Sequence, residues 1–520
     1  MNHDLTEYDK VIYPSYTHPQ THPARLHVIG ALMGLEPAPA DHCRVLELGC
    51  GDGTNLVPMA WALPGSEFRG VDLAAERIRH GQLMAQDLGL KNLQLVPGDL
   101  RHLDGEWGQF DYLIAHGLYS WVPLEVRDHM LRLCRRLLAP HGIAFVSYNA
   151  LPGCHLRSML REMMLFHVRG LAAADERIQQ ARALVQFLAE AQDSRDEYRL
   201  WMKAELQRVL DHAHGHLYHD ELAEINEPVY FTQFMSHAAR HDLQYLGEAD
   251  YFEMSDHVFR DSVRETLRKL ARNRLLREQY LDFLKCRRFR QTLLCRRDAE
   301  LRTEPQPGKL AGFLVSSSAV CAPGSLDLTP GVNCVFETPK GAKCQTDLPL
   351  GKATLALLGE TWPAPMPVRE LSDRIRQRLA DAGMQSEAEA ASLADLCEFL
   401  MQLYEGGAVE FRSFLPPLAR AASERPEACP VVRWEAAHRD FVTSLFHIAV
   451  RVEDELGRNL LTWLDGTTDR TALAEKLWAF LKAKQALVLG EGGETAARRE
   501  LAAKLEENLA KLLKLGLLVR

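Results

Sequence analysis

Glu47, Asp72 and Asp99 are carboxylates set within or just after three successive short apolar runs, and three glycines at alternate positions, Gly49, Gly51 and Gly53, follow the first. The stretch Val45-Leu-Glu-Leu-Gly-Cys-Gly-Asp-Gly-Thr54 reads as a strand that stops, turns tightly and opens a helix. Glycine tolerates the positive φ of such a turn and lets bare backbone approach a ligand. Asp72 lies 19 residues beyond Gly53, where a carboxylate can accept hydrogen bonds from both hydroxyls of a ribose. Asp99 follows in Val96-Pro-Gly-Asp-Leu-Arg. Either aspartate alone reads equally as a helix cap, which Asp favours. The three acids in register, each tied to a successive strand, point to a nucleoside-bearing ligand.

The elements that must position these acids are strands alternating with helices. Strands are predicted at 44–48, 68–72, 93–96, 110–115 and 143–148, with helices near 56–62, 75–88 and 125–138. This alternation predicts a parallel sheet covered on both faces, with ligands bound beyond the C-terminal strand ends. A long helical stretch, about 156–222, follows, and 243–248 and 289–295 read as a sixth and a seventh strand. The helical stretch is therefore read as an insertion within one domain of about 1–300; a separate helical domain from 156 to 300 is the alternative.

The spacing Glu-x-Gly-x-Gly-x-Gly resembles motif I of the class I S-adenosylmethionine (SAM) methyltransferases. Further segments carry a narrower likeness: Tyr-Pro-Ser-Tyr and Gln-Thr-His-Pro within 13–23, His-Gly-Leu-Tyr-Ser-Trp-Val (116–122), Tyr-Asn-Ala-Leu-Pro-Gly (148–153), Asn-Glu-Pro-Val-Tyr-Phe (226–231) and Arg-Glu-Gln-Tyr-Leu-Asp-Phe-Leu (277–284). Together these are similar to bacterial methyltransferases with a methyltransferase regulatory domain. That group includes the protein-lysine methyltransferases of rickettsial outer-membrane surface proteins. The resemblance implies a Rossmann-like seven-stranded sheet, SAM as cofactor, an N-methyl product and a homodimer. It also implies that Glu47, Gly49, Cys50, Gly51 and Gly53 serve the methionine end of SAM, Asp72 and Leu73 the ribose, and Asp99 and Leu100 the adenine. His116 is a further candidate for cofactor contact. So is Tyr16, on a Pro-stiffened N-terminal arm that suits a lid (1–40) or an ordered surface arm.

The acceptor belongs beyond strands four and five. The Asn/Asp-Pro-Pro-Tyr motif of nucleic-acid and glutamine amino methyltransferases is absent after strand four, where His116-Gly-Leu-Tyr119-Ser-Trp121 stands instead. Tyr119, Trp121, Tyr148 and Asn149 are the acceptor-binding candidates. Aromatic faces hold an amine cation with roughly 0.5–2 kcal/mol, although such residues also serve as packing under the next helix. His116 and Tyr119 are the catalytic candidates. His116 is read as a base for the amine proton, a cofactor contact or a core histidine.

The 520 residues exceed one domain, and a net charge of −9 argues against general nucleic-acid binding. A polar N-terminus, the lack of a long apolar run and 11 scattered cysteines predict a cytoplasmic protein without membrane insertion. Four histidines between 212 and 219 alternate rather than standing at helical i, i+4 spacing, so no metal is expected. The basic segment 260–297 reads as a solvated face, or as a surface for an acidic protein substrate or a partner subunit. Beyond 300, a β-ribbon over 312–349 with a turn at Pro339-Lys-Gly precedes two winged-helix-like modules, 301–415 and 416–520, related by a weak repeat offset by 109 residues. Protein contact suits these modules better than DNA. The function expected is SAM-dependent methylation of lysine in a protein substrate. A small-molecule methyltransferase and a non-catalytic SAM-binding regulator are the alternatives.

Overall fold

The computed structural model describes residues 11–520 apart from 12, 14, 104–106, 193–195, 323, 340 and 488–492. The first ten residues of the expected lid and Lys340 of the expected hairpin turn thus lie outside the described residues. Helix α1 (Pro23–Leu32) follows the N-terminal arm. The chain then lays down β1 (Arg44–Leu48), α2 (Leu56–Ala62), β2 (Glu67–Asp72), α3 (Ala75–Asp87), β3 (Leu93–Pro97), β4 (Phe110–Ala115), α4 (Leu124–Leu137) and β5 (Leu138–Asn149). Val45, Leu46, Leu113, Ile114, Phe145 and Val146 are all buried, as the near-continuous apolar strands of a sheet covered on both faces should be.

Helices α5 (His155–Val168), α6 (Ala174–Glu190) and α7 (Glu197–Leu210) come next, followed by α8 (Phe231–Arg240), β6 (Leu243–Glu248), α9 (Asp261–Leu270), α10 (Arg274–Lys285) and β7 (Phe289–Arg296). The sheet order is β3-β2-β1-β4-β5-β7-β6. Strands β1 to β5 run parallel, and β7 is antiparallel to both neighbours. Because β6 and β7 complete the same sheet, α5–α7 are an insertion within it. That insertion has its own core around Met164, Ile178, Val185 and Leu206.

A buried ion cluster welds α10 to the sheet edge. Arg290, on β7, has no exposed side-chain surface and reaches three carboxylates: Glu248 on β6, and Glu278 and Asp282 on α10. Arg287 adds a second ion pair to Asp282 at 2.9 Å. Burial pushes Asp282 up to about 6 despite both guanidiniums.

The β-ribbon expectation holds in part. Strands β9 (Val320–Cys321), β10 (Cys334–Glu337) and β11 (Lys343–Thr346) form a small antiparallel sheet. The first ribbon strand, β8 (Leu314–Ser316), instead lies between β12 (Met366–Pro367) and β13 (Glu410–Arg412). With α11 (Pro349–Thr361), α12 (Val368–Asp381) and α13 (Leu393–Glu405) these three strands make a winged unit. Its core is continuous with that of the seven-stranded sheet. The C-terminal unit repeats the pattern: Glu427 and Ala428 bridge to Asp465 and Leu518. It contains α14 (Pro430–His438), the hairpin β14 (Phe441–Thr443) and β15 (Ala449–Arg451), and α15 (Glu455–Trp463), α16 (Arg470–Ala483) and α17 (Gly493–Lys514). Among the described residues no helix is long and apolar enough to cross a membrane.

Candidate active site

The turn after β1 is the floor of the site. Gly49, Gly51 and Gly53 take φ values of +75°, +56° and +72°, the left-handed region that only glycine enters without cost. A Cβ on Gly51 would meet no atom of the described residues within 4 Å, so this backbone is open on that side. Cys50 turns inward, where a Cβ on Gly70 would come within 2.6 Å of its Sγ, so only its backbone lines the turn. Asp72 Oδ2 accepts from Gly51 N at 2.8 Å and Oδ1 from Ala74 N at 2.9 Å. The carboxylate thus ties the glycine turn to the end of β2. Leu73 beside it is 60% exposed, an apolar surface next to the carboxylate. Asp99 caps a short turn through Arg101 N at 2.9 Å and holds the Arg101 side chain. The Arg101 hydrogen bond lowers the Asp99 pKa. Leu100 is half-buried next to it.

Glu47 carries the strongest sign of a ligand contact. Its Oε1 accepts from Asn55 Nδ2 at 3.0 Å, whereas Oε2 is buried without a hydrogen-bond partner among the described residues. Burial, with Asp72 and Asp52 adding to it, pushes this carboxyl up to about 8. Orphaned buried polar atoms are costly, and the ammonium of SAM would satisfy this one. The open backbone at Gly51, the Asp72 carboxylate, the exposed Leu73 and the orphaned Glu47 oxygen together fit SAM.

A pH dependence follows. Below about pH 8 Glu47 holds a proton in the free protein, and a cation placed against it favours the carboxylate and expels that proton. SAM affinity therefore rises between pH 6 and 7.5, by at most about tenfold per unit. Calorimetry in two buffers of different ionisation enthalpy will show proton release on binding. Glu47→Gln abolishes both the slope and the release. A pH-independent affinity over this range in the parent protein refutes the assignment.

Beyond β4, His116 lies flat between His18 of the N-terminal arm, 3.6 Å away centroid to centroid, and Phe145 at 5.9 Å. Burial and His18 hold its pKa well below 6.5. It is a neutral imidazole, able to accept a hydrogen bond from an amine but a poor store for a proton. Tyr16 packs edge-on to Phe441 at 5.1 Å and beside His216 at 5.9 Å. Of the arm residues it is His18 that meets His116.

The expected aromatic wall for the acceptor is largely inside the core. Tyr148 is fully buried, its hydroxyl 3.0 Å from Thr292 Oγ1 and its ring stacked on Phe234 at 4.1 Å. It therefore supports the wall from behind and offers no surface to an acceptor. Tyr119 is also buried, and its hydroxyl turns away to His237 Nδ1 at 2.9 Å. Burial pushes that phenol up to about 12, so it is no proton acceptor at neutral pH. Trp121 remains half-exposed with its Nε1 unpartnered. Asn149 donates its side-chain amide to Asn226 at 2.9 Å. Behind Tyr119, His237 and His241 share the Asp128 carboxylate at 3.4 and 2.8 Å, and Arg132 takes its other oxygen at 2.7 Å. The histidine-rich segment serves the arm instead: His219 Nε2 lies 2.6 Å from Val11 O.

Comparison with known proteins places this geometry. Residues 45–142 match the methyltransferase domain family, 213–296 the predicted methyltransferase regulatory domain, and 424–515 the PKMT C-terminal winged helix domain. An uncharacterized protein of Rickettsia prowazekii is 30% identical over 512 residues, covering 97% of this chain and 91% of its own. The chain belongs to this family of SAM-dependent methyltransferases with a regulatory domain. The structure of PKMT2 from Rickettsia typhi superposes with a TM-score of 0.86 at 27% identity, over 98% of this chain and all of that one. Its complex with AdoHcy gives a TM-score of 0.84 at the same identity and coverage. SAM is thus the cofactor of this methyltransferase, whose seven-stranded sheet presents motif I, Asp72 and Asp99 along one edge. The sequence reading passed over Asn55, which joins Glu47 to the arm. It also passed over Gly81, where a Cβ would stand 2.1 Å from the Asp52 carbonyl, so α3 packs directly on the glycine turn.

Proposed function

We propose that this methyltransferase transfers the SAM methyl group to the side-chain amine of lysine in a protein substrate. The observation that carries the reading is the match to PKMT2, which runs through the insertion and both winged units rather than stopping at the catalytic sheet. SAM supplies an electrophilic methyl on sulfur; a nitrogen–carbon bond forms as the carbon–sulfur bond breaks, and the amine proton leaves to solvent. The chain's own contribution is alignment, worth up to ~7–11 kcal/mol in the best cases. Burial beside the neutral His116 lowers a lysine pKa and favours the reactive free amine. The test is transfer of label from methyl-tritiated SAM into a cognate cell extract. Label in a protein band, lost with Asp72→Ala, supports the reading. Label confined to the small-molecule fraction favours a metabolite enzyme, and tight SAM binding with no product favours a regulator.

The working form is proposed to be a homodimer. Phe166, Phe187 and Trp201 of the insertion are each more than 60% exposed, and the proposal is that they join in one apolar patch of the kind that marks an interface. The proposed occupant is a second copy of the insertion. Sedimentation should show a dimer, and Trp201→Glu a monomer; a monomeric parent protein rejects this. The eleven unpaired cysteines suit the reducing cytoplasm, which is the compartment proposed.

A further inference from the structure

The C-terminal winged unit reaches the cofactor turn. Its apolar core takes in Val57 of α2 and Met84 of α3, the two helices that flank motif I, and Trp434 Nε1 donates to Asp87 Oδ2 at 2.9 Å. Two polar side chains extend from this footing into motif I. Arg439, just after α14, donates from Nη1 to Thr54 Oγ1 at 2.7 Å and stands 3.6 Å from Asp52 Oδ2. Asp52 is buried, holds Thr54 Oγ1 at 2.6 Å and also pairs with Arg77 at 3.2 Å. His447, in the β14–β15 turn, is buried with φ +64°, and its Nε2 lies 2.8 Å from Asn55 Oδ1.

The second contact sets a chain of orientation. Asn55 Oδ1 also accepts from His18 N at 3.0 Å, so the His447 ring must present Nε2–H as a donor. With its oxygen occupied, the Asn55 amide nitrogen points to Thr21 Oγ1 and Glu47 Oε1. Glu47 Oε2 is then left without a hydrogen-bond partner among the described residues. A non-glycine residue in the left-handed region is uncommon, and here the backbone delivers the imidazole to a site more than 390 residues away in sequence.

We propose that Arg439 and His447 are positioning residues of the SAM site, so that the C-terminal unit sets the cofactor affinity of the catalytic sheet. Neither acts on the methyl group. Arg439 acts through Asp52 and Thr54, and His447 through Asn55 and Glu47.

The test uses the full chain, with folding of each variant checked by circular dichroism. Arg439→Ala and His447→Ala should each raise the Kd and KM for SAM by about tenfold or more, with the loss falling on KM rather than on kcat at saturating SAM. His447→Gln, whose amide can donate to Asn55, should recover much of the affinity. Asp87→Ala, which removes a docking bond distant from motif I, should leave both constants unchanged. Should the alanine forms fail to fold, Arg439→Lys and His447→Gln decide: affinity reduced for the lysine form and largely kept for the glutamine form supports the proposal. Parent-like SAM affinity in folded Arg439→Ala and His447→Ala, a loss in kcat alone, or an equal loss in Asp87→Ala overturns it.

Discussion

Asp72→Ala lowers SAM affinity by about two orders of magnitude. In the proposed ribose contact the carboxylate accepts from two hydroxyls, and two charge-assisted hydrogen bonds at ~1.5 kcal/mol each amount to ~3 kcal/mol, about a hundredfold in Kd. The same substitution frees Gly51 N and Ala74 N, loosening the glycine turn and moving the result in the same direction. Asp72→Asn keeps one acceptor oxygen and should lose only about tenfold. Titration calorimetry with SAM reads both. A Kd for Asp72→Ala within threefold of the parent would remove Asp72 from the ribose site.

Arg290→Ala has the second large effect, and it falls on stability. The substitution leaves Glu248, Glu278 and Asp282 buried, with Arg287 beside Glu278 and Asp282 and Arg277 beside Glu278 to balance them in part. Breaking a buried ion pair by removing one partner costs roughly 3–5 kcal/mol. For a unit of this size that is a fall on the order of 10 °C in the melting temperature. Two-state behaviour is not expected of so large a chain, so the readout is the temperature of the transition that carries the sheet. Asp282 is the acid pushed up to about 6. A raised carboxyl pKa favours the fold at low pH and ceases to help as pH climbs through 6. The Arg290→Ala deficit should therefore be smaller at pH 5 than at pH 8. An unchanged melting temperature would show that solvent or another cation compensates.

Much of this architecture is legible in the sequence because strands and glycines speak locally. Strands β1 and β4 lie where their apolar runs end, and the glycine turn needs no distant partner. Strand β5 is longer than expected: Pro140 and Gly142 look like breakers, yet a register irregularity between Phe110 and Tyr112 lets pairing begin at Leu138. The acceptor wall was harder to read. In a sheet covered on both faces alternate residues are all buried, so nothing in the pattern shows that Tyr148 points into the core. Tyr119 has the same difficulty, since its partner His237 comes from a helix beyond the insertion. Arg439 and His447 could not be found from spacing at all. Motif I and the β14–β15 turn are joined only by the docking of the C-terminal unit.

The lysine acceptor is the centre of this account, and product chemistry tests it most directly. The labelled protein from the methyl-tritiated SAM reaction is hydrolysed to amino acids and separated. Label that co-elutes with N-methylated lysine is the predicted result. Label in methylated arginine, histidine or glutamine, or released by mild base as from a carboxyl ester, would contradict it and reassign the acceptor.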